Sequence, residues 1–403
     1  MTMENLPVRR LHELCEVTSS KRVYASELSP SGVPFYRSKD IIELLSGKES
    51  PSSPLFIPEK RFQEILKLTG APIRGDVLLT SRGTLGVPYL VRESNRFHFA
   101  DGNLTWFRNF RNLDSRYLVY YFLSPAGSAE LSKCVIGSSQ AAYTIASLKN
   151  IEIRVPALPV QRLIAGILSA YDDLIEVNGR RIAILEETAC RLFNEWFVKL
   201  RFPGHQTVSL IDTSDGPMPQ GWSFVSLGDV ANVQWGDTTK TKSSYAHEGF
   251  AAYSATGQDG YLPYFDFDRT GIVLSAIGAN CGRTWFASGK WSCIKNTIRF
   301  WSIDNNLSDE LLFYSTQRAD FWPRRGAAQP FISQGDARNC RVLRPTAMVG
   351  TRFHAIVGPM LRMQTLLNQQ NGKLRAARDL LLPKLISGEI DLSGAERKLE
   401  AAQ

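Results

Sequence analysis

Two long segments of the chain carry hydrophobic residues at alternating spacings of four and three, which is the pattern of a heptad repeat. The first segment lies between about residues 160 and 199 and keeps the pattern for more than four heptads. Its seam positions are Ile164, Leu168, Tyr171, Ile175, Asn178, Ile182, Leu185, Ala189, Leu192 and Trp196. The spacing predicts a long helix that pairs with another helix, and a single polar position such as Asn178 often fixes the register of such a pair.

The second segment shows related spacing near the end of the chain. Its predicted seam comprises Phe353, Ile356, Met360, Met363, Leu367, Gln370, Leu374, Ala377 and Leu381. Pro359 departs from an ideal helix, so it either kinks the segment or marks its start as a first-turn proline. We expect Pro383 and Gly388 to close the segment.

A short motif occurs twice with the same spacing to a proline. Gly137-Ser-Ser-Gln140 begins nineteen positions before Pro156, and Gly326-Ala-Ala-Gln329 begins nineteen positions before Pro345. Each proline opens one of the long segments, and the two prolines are 189 positions apart. The sequence therefore predicts two copies of one unit, each made of a domain followed by a long helix.

The stretch before each long segment mixes strand patterns, turn residues and a short helix, which predicts a compact α+β domain. The buried-strand pattern at 75–83 returns at 271–278, and the helix pattern at 115–121 returns at 308–314. The predicted order is a first domain over 1–155, a first long helix over 156–202, a linker over 203–221, a second domain over 222–344, a second long helix over 345–392 and a tail over 393–403.

The two seams are expected to be buried, because they are largely apolar. Two helices of similar length pack most simply against each other, and the domain between them in the chain makes them antiparallel. We therefore predict an α+β fold in which two globular domains are separated by a long antiparallel two-helix coiled coil, with a pseudo-twofold internal repeat. The alternative is that each helix folds onto its own domain.

The composition and net charge of the chain indicate its location and the class of its partner. Hydrophobic residues make up 43% of the 403 residues, which suits sizeable folded cores. The sequence has neither an apolar run long enough to span a bilayer nor a signal-peptide core in its first ten residues, so a cytoplasmic location is expected. Six scattered cysteines are expected to be buried, reduced thiols. The net charge of +8 favours a polyanion such as nucleic acid.

The sequence contains no recognisable catalytic motif. It lacks a phosphate loop, a dinucleotide-binding glycine pattern and the Asp/Asn-Pro-Pro-aromatic loop of adenine methyltransferases. Its five histidines fall in no metal-ligand spacing. We therefore predict a binding protein with no catalytic residues, no metal site and no cofactor of its own.

Residues suited to contact DNA cluster in loops between the predicted strands of both copies. Arginine and lysine neutralise phosphates, and arginine, asparagine and glutamine can read base edges. The candidates are Lys21, Arg22, Arg37, Lys39, Arg74, Arg82, Thr84 and Gln140 in the first copy, and Lys240, Lys242, Arg283, Arg324, Arg325 and Gln329 in the second. Each one alone can equally be a solvated surface residue, so the prediction depends on their clustering.

Several motifs, in their order along the whole chain, make it resemble the specificity subunit of type I restriction-modification enzymes. They are Gly-Asp-Val-Leu at 75–78, Arg-Val-Pro-Ala-Leu-Pro-Val-Gln at 154–161, Pro-Gln-Gly-Trp at 219–222, Leu-Gly-Asp-Val at 227–230 and Leu-Leu-Pro-Lys-Leu-Ile-Ser-Gly-Glu-Ile at 381–390. One departure is Pro159-Val160-Gln161, where the family has Pro-Glu-Gln, and the second copy keeps little of this motif after Pro345.

The resemblance implies two target-recognition domains that each read one half of a bipartite DNA sequence. It implies two adenine DNA methyltransferase subunits as partners and, in the full complex, ATP-driven restriction and translocase subunits. S-adenosylmethionine, ATP and magnesium would then belong to those partners. Two other functions remain open: a recognition module of a methylation-only phage-defence complex, and a coiled-coil scaffold that binds proteins and no DNA.

Overall fold

The computed structural model describes residues 6–48, 50–92, 96–137, 140–318, 320–326, 328–390 and 392, so the predicted tail over 393–403 lies outside the described residues. The chain forms two compact units. The first comprises residues 1–177 together with 370–403, and the second comprises residues 178–369. Among the described residues, no helix is long and apolar enough to cross a membrane.

The first unit is built around a four-stranded antiparallel sheet. Its elements are β1 (Val8–Arg10), α1 (Leu11–Leu14), β2 (Glu16–Thr18), β3 (Val33–Tyr36), α2 (Ser38–Leu45), β4 (Phe56–Ile57), α3 (Glu59–Thr69), β5 (Val77–Thr80), β6 (Pro88–Leu90), β7 (His98–Phe99), β8 (Leu104–Arg108), α4 (Ser115–Leu123), α5 (Pro125–Lys133), β9 (Val135–Ile136), β10 (Ala142–Tyr143), α6 (Ile145–Lys149), β11 (Glu152–Arg154) and the first part of α7 (Leu158–Phe193). The central sheet has the order β2-β8-β5-β6, and a smaller sheet has the order β4-β3-β7 with β3 and β7 parallel.

Strand β5 is covered on both faces, which explains its continuous apolar sequence. Val77 and Leu79 belong to a core that includes Leu118 of α4, whereas Leu78 packs with Trp106 and Phe99 on the opposite face. Successive strand residues point to opposite faces, so one short strand contributes to two cores.

The second unit repeats this topology. Its elements are the last part of α7, β12 (Leu210–Thr213), β13 (Gly216–Pro219), β14 (Ser223–Ser226), α8 (Leu227–Val230), β15 (Ala231–Trp235), β16 (Phe250–Ser254), β17 (Gly257–Leu262), β18 (Phe267–Asp268), β19 (Gly271–Ser275), β20 (Thr284–Ala287), β21 (Lys290–Cys293), β22 (Thr297–Ser302), α9 (Asp309–Ser315), α10 (Gln334–Asn339), β23 (Arg341–Arg344) and α11 (Ala347–Ile386), which extends into the first unit. The sheet β15-β22-β19-β20 corresponds to β2-β8-β5-β6, and β17-β16-β21-β18 contains the parallel pair β16–β21. The predicted α+β class and internal repeat are confirmed.

Two details of the predicted repeat differ in the structure. The helix caps align Asp114 with Ser308, because these side chains accept hydrogen bonds from the backbone N–H of Tyr117 and Leu311, respectively. The match between 115–121 and 308–314 is therefore shifted by one residue. The segment 203–221, expected to be a linker, contains the antiparallel hairpin β12–β13.

The two long helices pack against each other in antiparallel fashion. In the first unit, Ile164 and Leu168 of α7 share a core with Leu382 of α11, and the Arg378 guanidinium donates a hydrogen bond to the Asp172 carboxylate. In the second unit, Trp196, just after α7, packs against Phe353, near the start of α11. The predicted antiparallel pairing is confirmed, and the alternative of each helix folded onto its own domain is wrong, since α7 contributes to both units.

The seam of α7 follows the predicted register. The buried positions are Ile164, Leu168, Asn178, Ala189 and Trp196; the half-buried ones are Tyr171, Ile175, Ile182, Leu185 and Leu192. The end of the segment differs in detail, because Asn194–Val198 forms a π-helical turn. Such a turn adds one residue to the helical hydrogen-bonded ring and is uncommon in regular helices.

The seam of α11 agrees with the prediction at six positions and differs at three. Phe353 and Leu367 are buried, and Met360, Leu374, Ala377 and Leu381 are half-buried. The expectation is wrong at Ile356, Met363 and Gln370, which are exposed. Their neighbours Val357, Gln364 and Asn371 turn inward instead, and the same spacing of seven continues at Arg378 and Leu385.

Helix α11 also continues through both of its prolines. It begins at Ala347, twelve residues before Pro359, so Pro359 does not mark its start. It passes Pro383 and ends at Ile386, and Gly388 follows with a φ of +72°. A positive φ after the last turn is the usual place for a glycine that ends a helix.

The starts of the two long helices are held by different amides. The buried Gln161 side chain accepts from the N–H of Asp114 (2.8 Å) and donates to the carbonyls of Asn112 (3.0 Å) and Pro156 (2.9 Å). The residue 189 positions later is Gly350, where an added Cβ would lie 2.1 Å from the Asn306 carbonyl oxygen. Here the Asn306 side chain donates to the Pro345 carbonyl (3.1 Å). The second copy therefore has no glutamine at this point of the helix. Asn306, in a loop, makes the side-chain hydrogen bond, and the backbone of this loop approaches the helix closely at Gly350.

Candidate nucleic-acid interface

Two loops meet beside the central sheet of the first unit. The loop 81–87 joins β5 to β6, and the N–H of Tyr143 in the second loop donates to the Ser81 carbonyl at 3.1 Å. Arg82 and Ala142 form an isolated antiparallel bridge next to this bond. We call the described residues of 81–87 and 140–143 the paired-loop surface of the first unit.

The second unit builds the same arrangement from 276–283 and 329–332, its own paired-loop surface. The N–H of Gly278 donates to the Pro330 carbonyl (3.0 Å), and the N–H of Ile332 donates to the Ala276 carbonyl (2.8 Å). Ile277 and Phe331 form the corresponding antiparallel bridge. The backbone scaffold of the two surfaces is therefore the same, although their side chains differ.

The repeated Gly-x-x-Gln motif has a structural explanation. Gly137 has a φ of +82° and Gly326 a φ of +80°. A Cβ at these positions would lie 2.8 Å from the Gln140 carbonyl oxygen and 2.7 Å from that of Gln329. Glycine alone combines this backbone conformation with the close approach. The motif thus turns the second loop so that an exposed glutamine follows, while residues 138, 139 and 327 lie outside the described residues.

The structure brings three of the first-unit candidates together. Arg82, Thr84 and Gln140 are all exposed on the paired-loop surface. Lys39 is also exposed, in the first turn of α2. It follows Ser38, whose hydroxyl donates to the Asn103 carbonyl (2.8 Å), and the Ser81 N–H donates to the same carbonyl (2.7 Å). The start of α2 therefore adjoins the loop that carries Arg82.

Two other first-unit candidates, Arg37 and Arg22, contact residues of their own domain. The Arg37 guanidinium donates to the Asp40 carboxylate (2.7 and 2.9 Å) and to the Ser53 carbonyl (2.8 Å). Arg22 lies 3.5 Å from a carboxylate oxygen of Asp101. Lys21 precedes it and is exposed. Arg37 is thus held in place mainly by its own domain.

Arg74 lies in a different place, at the start of α7. It lines a cavity of about 330 Å³ together with Asp76, Asp114 and Arg162. Asp76 accepts hydrogen bonds from the Ile73 N–H (3.0 Å) and the Trp106 indole N–H (2.9 Å), and burial raises the pKa of its carboxyl group. The Gly-Asp-Val-Leu motif therefore closes a turn, and the cavity combines arginines with acidic residues.

In the second unit, Lys242 is held by a carboxylate. Its ammonium lies 2.5 Å from Asp259 and donates to Thr256 (3.0 Å). Burial would raise the pKa of Asp259, but hydrogen bonds from Lys242, Ser254, Thr256 and Tyr245 outweigh it and lower that pKa to about 2. The carboxylate therefore stays ionised at neutral pH and keeps Lys242 in an internal network.

Two further candidates have partners of their own. The Lys240 ammonium lies 5.8 Å from the centre of the Tyr264 ring. Arg325 forms a backbone bridge with Phe331 on the paired-loop surface, and its guanidinium pairs with Asp336. Hydrogen bonds from Ser333 and then from Arg325 lower the pKa of the Asp336 carboxyl group. Arg325 thus supports this surface from within.

The remaining candidates are Arg283, Arg324 and Gln329, all exposed. Arg283 and Arg324 line a cavity of about 280 Å³ with Arg318 and Gln317, which the sequence analysis did not single out. Arg318 follows Arg283 by 35 positions, so no local sequence pattern connects the two. The connection comes from the fold, because the Gln317 amide just after α9 donates to Thr284 of β20 (2.6 Å).

Among the described residues, the cysteines and the potential metal ligands form no second site. All six cysteines are free thiols, and five are buried as expected, whereas Cys190 is exposed. Burial raises the pKa of Cys15 and of Cys293 to about 12. Within the described parts of the chain, no group of three or more His, Cys, Asp or Glu side chains is placed to hold a metal ion.

Comparison with known proteins identifies the family of the whole chain. A family model described as the type I restriction modification DNA specificity domain matches residues 3–187 and 219–341, which is more than half of the chain. The chain belongs to this family. The resemblance noted from the sequence is confirmed, and the chain is a non-catalytic DNA-recognition subunit of the type I restriction-modification class.

Relatives and a solved structure agree. The specificity subunit of the type I enzyme MjaIX from Methanocaldococcus jannaschii is 26% identical over 345 residues, covering 79% of this chain and 78% of that protein. A putative specificity subunit from Haemophilus influenzae, S.HindORF215P, is 28% identical over 170 residues, covering 41% of this chain and 40% of that protein. The crystal structure of a type I S subunit from M. genitalium superimposes with a TM-score of 0.66 at 16% identity, covering 94% of this chain and 96% of that one. This last likeness supports the fold of the specificity subunit.

Proposed function

We propose that this specificity subunit reads a bipartite DNA target, with the paired-loop surface of each unit contacting one half of the sequence. The observation that carries the proposal is the same two-loop backbone in both units with different exposed side chains. The bridge pairs Arg82 with Ala142 in the first unit and Ile277 with Phe331 in the second. A shared scaffold with different side chains suits two half-sites of different sequence.

The chemistry of the exposed residues fits base reading and phosphate contact. Gln140 and Gln329 each follow a glycine-dependent turn, and glutamine can bind adenine through two hydrogen bonds in the major groove. Arg82 belongs to the first surface and Lys39 lies next to it, so both add positive charge that favours contact with the DNA backbone. The net charge of +8 supports the same partner.

Substitution of the two matched glutamines tests the proposal. We expect Gln140→Ala to relax sequence preference in one half of the target and Gln329→Ala to relax it in the other, each by about 1–3 kcal/mol for a lost two-bond contact. The measurement is a genome-wide map of methylated adenines after expression with the methyltransferase partner. Each variant serves as the control for the other, and a change of both halves by either variant would contradict independent reading.

We further propose that the long helices recruit two DNA methyltransferase subunits and, in a full complex, restriction and translocase subunits. Both helices expose large apolar side chains outside their seam, such as Leu174 (52%), Ile184 (62%), Leu366 (52%) and Leu380 (69%). Exposed apolar residues gathered on one element are typical of a protein-binding surface. S-adenosylmethionine, ATP and magnesium would be bound by those partners.

Copurification tests this recruitment. We expect Leu174→Ser combined with Leu380→Ser, both in the first unit, to reduce the methyltransferase recovered with the tagged chain by about tenfold, because apolar anchors dominate interface energies. The control is Leu68→Ser in α3, whose side chain is similarly exposed (68%) but lies on a globular domain. Equal recovery with the double variant and the control would exclude this surface. Family membership does not favour a scaffold that binds no DNA.

A further inference from the structure

Three arginines surround one cavity in the second unit. Arg283, Arg318 and Arg324 line a space of about 280 Å³ together with Gln317 and Trp285. Arg283 is the last residue of the first loop of the paired-loop surface. Arg318 lies shortly after α9, and Arg324 lies before the second loop. Three separate segments of the chain thus converge on one basic cavity.

The local backbone places Arg318 and Arg324 beside the cavity. Gly282 has a φ of +91°, and an added Cβ would lie 2.8 Å from Nε of Arg324. Glycine here therefore lets the guanidinium rest directly against the backbone. The 2.6 Å bond from Gln317 to Thr284 fixes the end of α9, and Arg318 is the next residue.

The positive charge of the cavity is not balanced by nearby carboxylates. Within the described residues, Arg283 and Arg324 form no ion pair, and the Arg283 guanidinium donates only a long hydrogen bond to the Asn280 side-chain amide oxygen (3.3 Å). Arg318 lies 3.4 Å from Asp320, but both side chains are mostly exposed (65% and 75%), where such a pair contributes little. Mutual repulsion of three guanidinium groups favours an anion between them.

Two of the three arginines have no basic counterpart in the first unit. In the strand register, Thr284 pairs with Leu274 as Pro88 pairs with Leu79, so Arg283 corresponds to Val87. The helix caps align Asp114 with Ser308, which places Ser124 at the position of Arg318. The three-arginine cavity therefore distinguishes the second unit from the first.

We propose that this cavity binds one phosphate of the DNA backbone and thereby sets the position of the second unit on its half-site. The inference rests on the proposed DNA-reading function and names a contact that this function does not require. Arginine presents a planar set of donors that matches a phosphate, and several donors around one anion form short, charge-assisted bonds. Because Gly278 beside the cavity loop bonds to Pro330, a phosphate held here would position the neighbouring Gln329 against base edges. The arginines would position the protein and carry no base preference themselves.

The salt dependence of DNA binding tests the inference with the full chain. Binding to a mixed-sequence DNA duplex is followed by fluorescence anisotropy over a series of KCl concentrations. We expect the variant Arg283→Gln/Arg318→Gln/Arg324→Gln to reduce the slope of log K against log [KCl] by about 0.9, the value for one lost phosphate contact. The control Arg181→Gln/Arg352→Gln/Arg362→Gln removes the same charge from exposed positions on the long helices of the same unit.

An unchanged slope in the cavity variant, or an equal reduction in the control, would overturn the inference. If the triple variant does not fold, the single variant Arg318→Glu is measured in its place. The Arg318 side chain is 65% exposed, so this substitution should not prevent folding. We expect it to weaken binding by about tenfold at low salt, where charge contacts are strongest, and Arg181→Glu to have a clearly smaller effect. Binding equal to that of Arg181→Glu would overturn the inference. A wild-type chain that binds no duplex would instead contradict the proposed function.

Discussion

Replacing Phe353 with alanine will lower the free energy of unfolding of the second unit by about 3–5 kcal/mol, the usual cost of truncating a buried phenylalanine. The Phe353 side chain is fully buried. Its ring lies 5.1 Å from that of Phe197, 6.0 Å from Trp196 and 6.4 Å from both Phe193 and Tyr314, measured between centroids. It therefore joins α11, the end of α7 and α9 in one aromatic cluster, and no neighbouring side chain can fill its volume without leaving other contacts.

Urea denaturation followed by tryptophan fluorescence measures the loss, since Trp196 belongs to the cluster. The matched control is Met363→Ala in the same helix, whose side chain is 48% exposed and outside the seam. We expect that control to change stability by no more than about 0.5 kcal/mol. A loss for Phe353→Ala as small as that of the control would show that the aromatic cluster does not hold the helices together.

Substituting alanine for Gly350 is expected to destabilise the second unit by about 1–3 kcal/mol or more, as overpacking does. The added Cβ would lie 2.1 Å from the Asn306 carbonyl oxygen and 3.1 Å from its carbon. These are backbone atoms, so the clash is relieved only if the loop that contains Asn306 moves away from α11. That movement would also strain the bond from the Asn306 side chain to the Pro345 carbonyl.

The control for this substitution changes stability in the opposite direction. Gly372 lies in the same helix, and a Cβ there meets nothing within 4 Å. Gly372→Ala should therefore stabilise the protein by about 0.5–1 kcal/mol through helix propensity alone. Thermal unfolding of both variants separates the two effects, and a stabilised Gly350→Ala protein would show that the helix start tolerates displacement.

The long helices show what the sequence could predict and where a polarity pattern misleads. The seam of α7 was predictable because nearly all its inward positions are apolar. In α11, the inward positions Gln364 and Asn371 are polar, so the heptad spacing was placed one residue earlier, at Met363 and the equally polar Gln370. Asn371 donates to the Ile175 carbonyl (3.4 Å) and Arg378 binds Asp172, and such bonds allow polar groups to be buried in a seam.

The sequence also predicted one part of the candidate site, the second loop of each paired-loop surface. The repeat of Gly-x-x-Gln marked both second loops, because a glycine-dependent turn leaves a local signature. The contact of those loops with 81–87 and 276–283 depends on strand order and leaves no signature in either segment. The roles of Arg37 and Lys242 as internal partners of Asp40 and Asp259 were equally invisible, since surface and half-buried basic residues look alike in a sequence.

The strands β1 and β11 pair side by side, Val8 opposite Arg154, and β14 and β23 pair in the same way, Ser223 opposite Arg344. The first and last strands of each globular domain therefore pair with each other in one short ladder, and a long helix follows the last strand. A foreign domain grafted between these points has to reproduce only a three- or four-residue ladder for the rest of the chain to remain intact. Recombination between related genes could thus give such a protein a new DNA target in a single step.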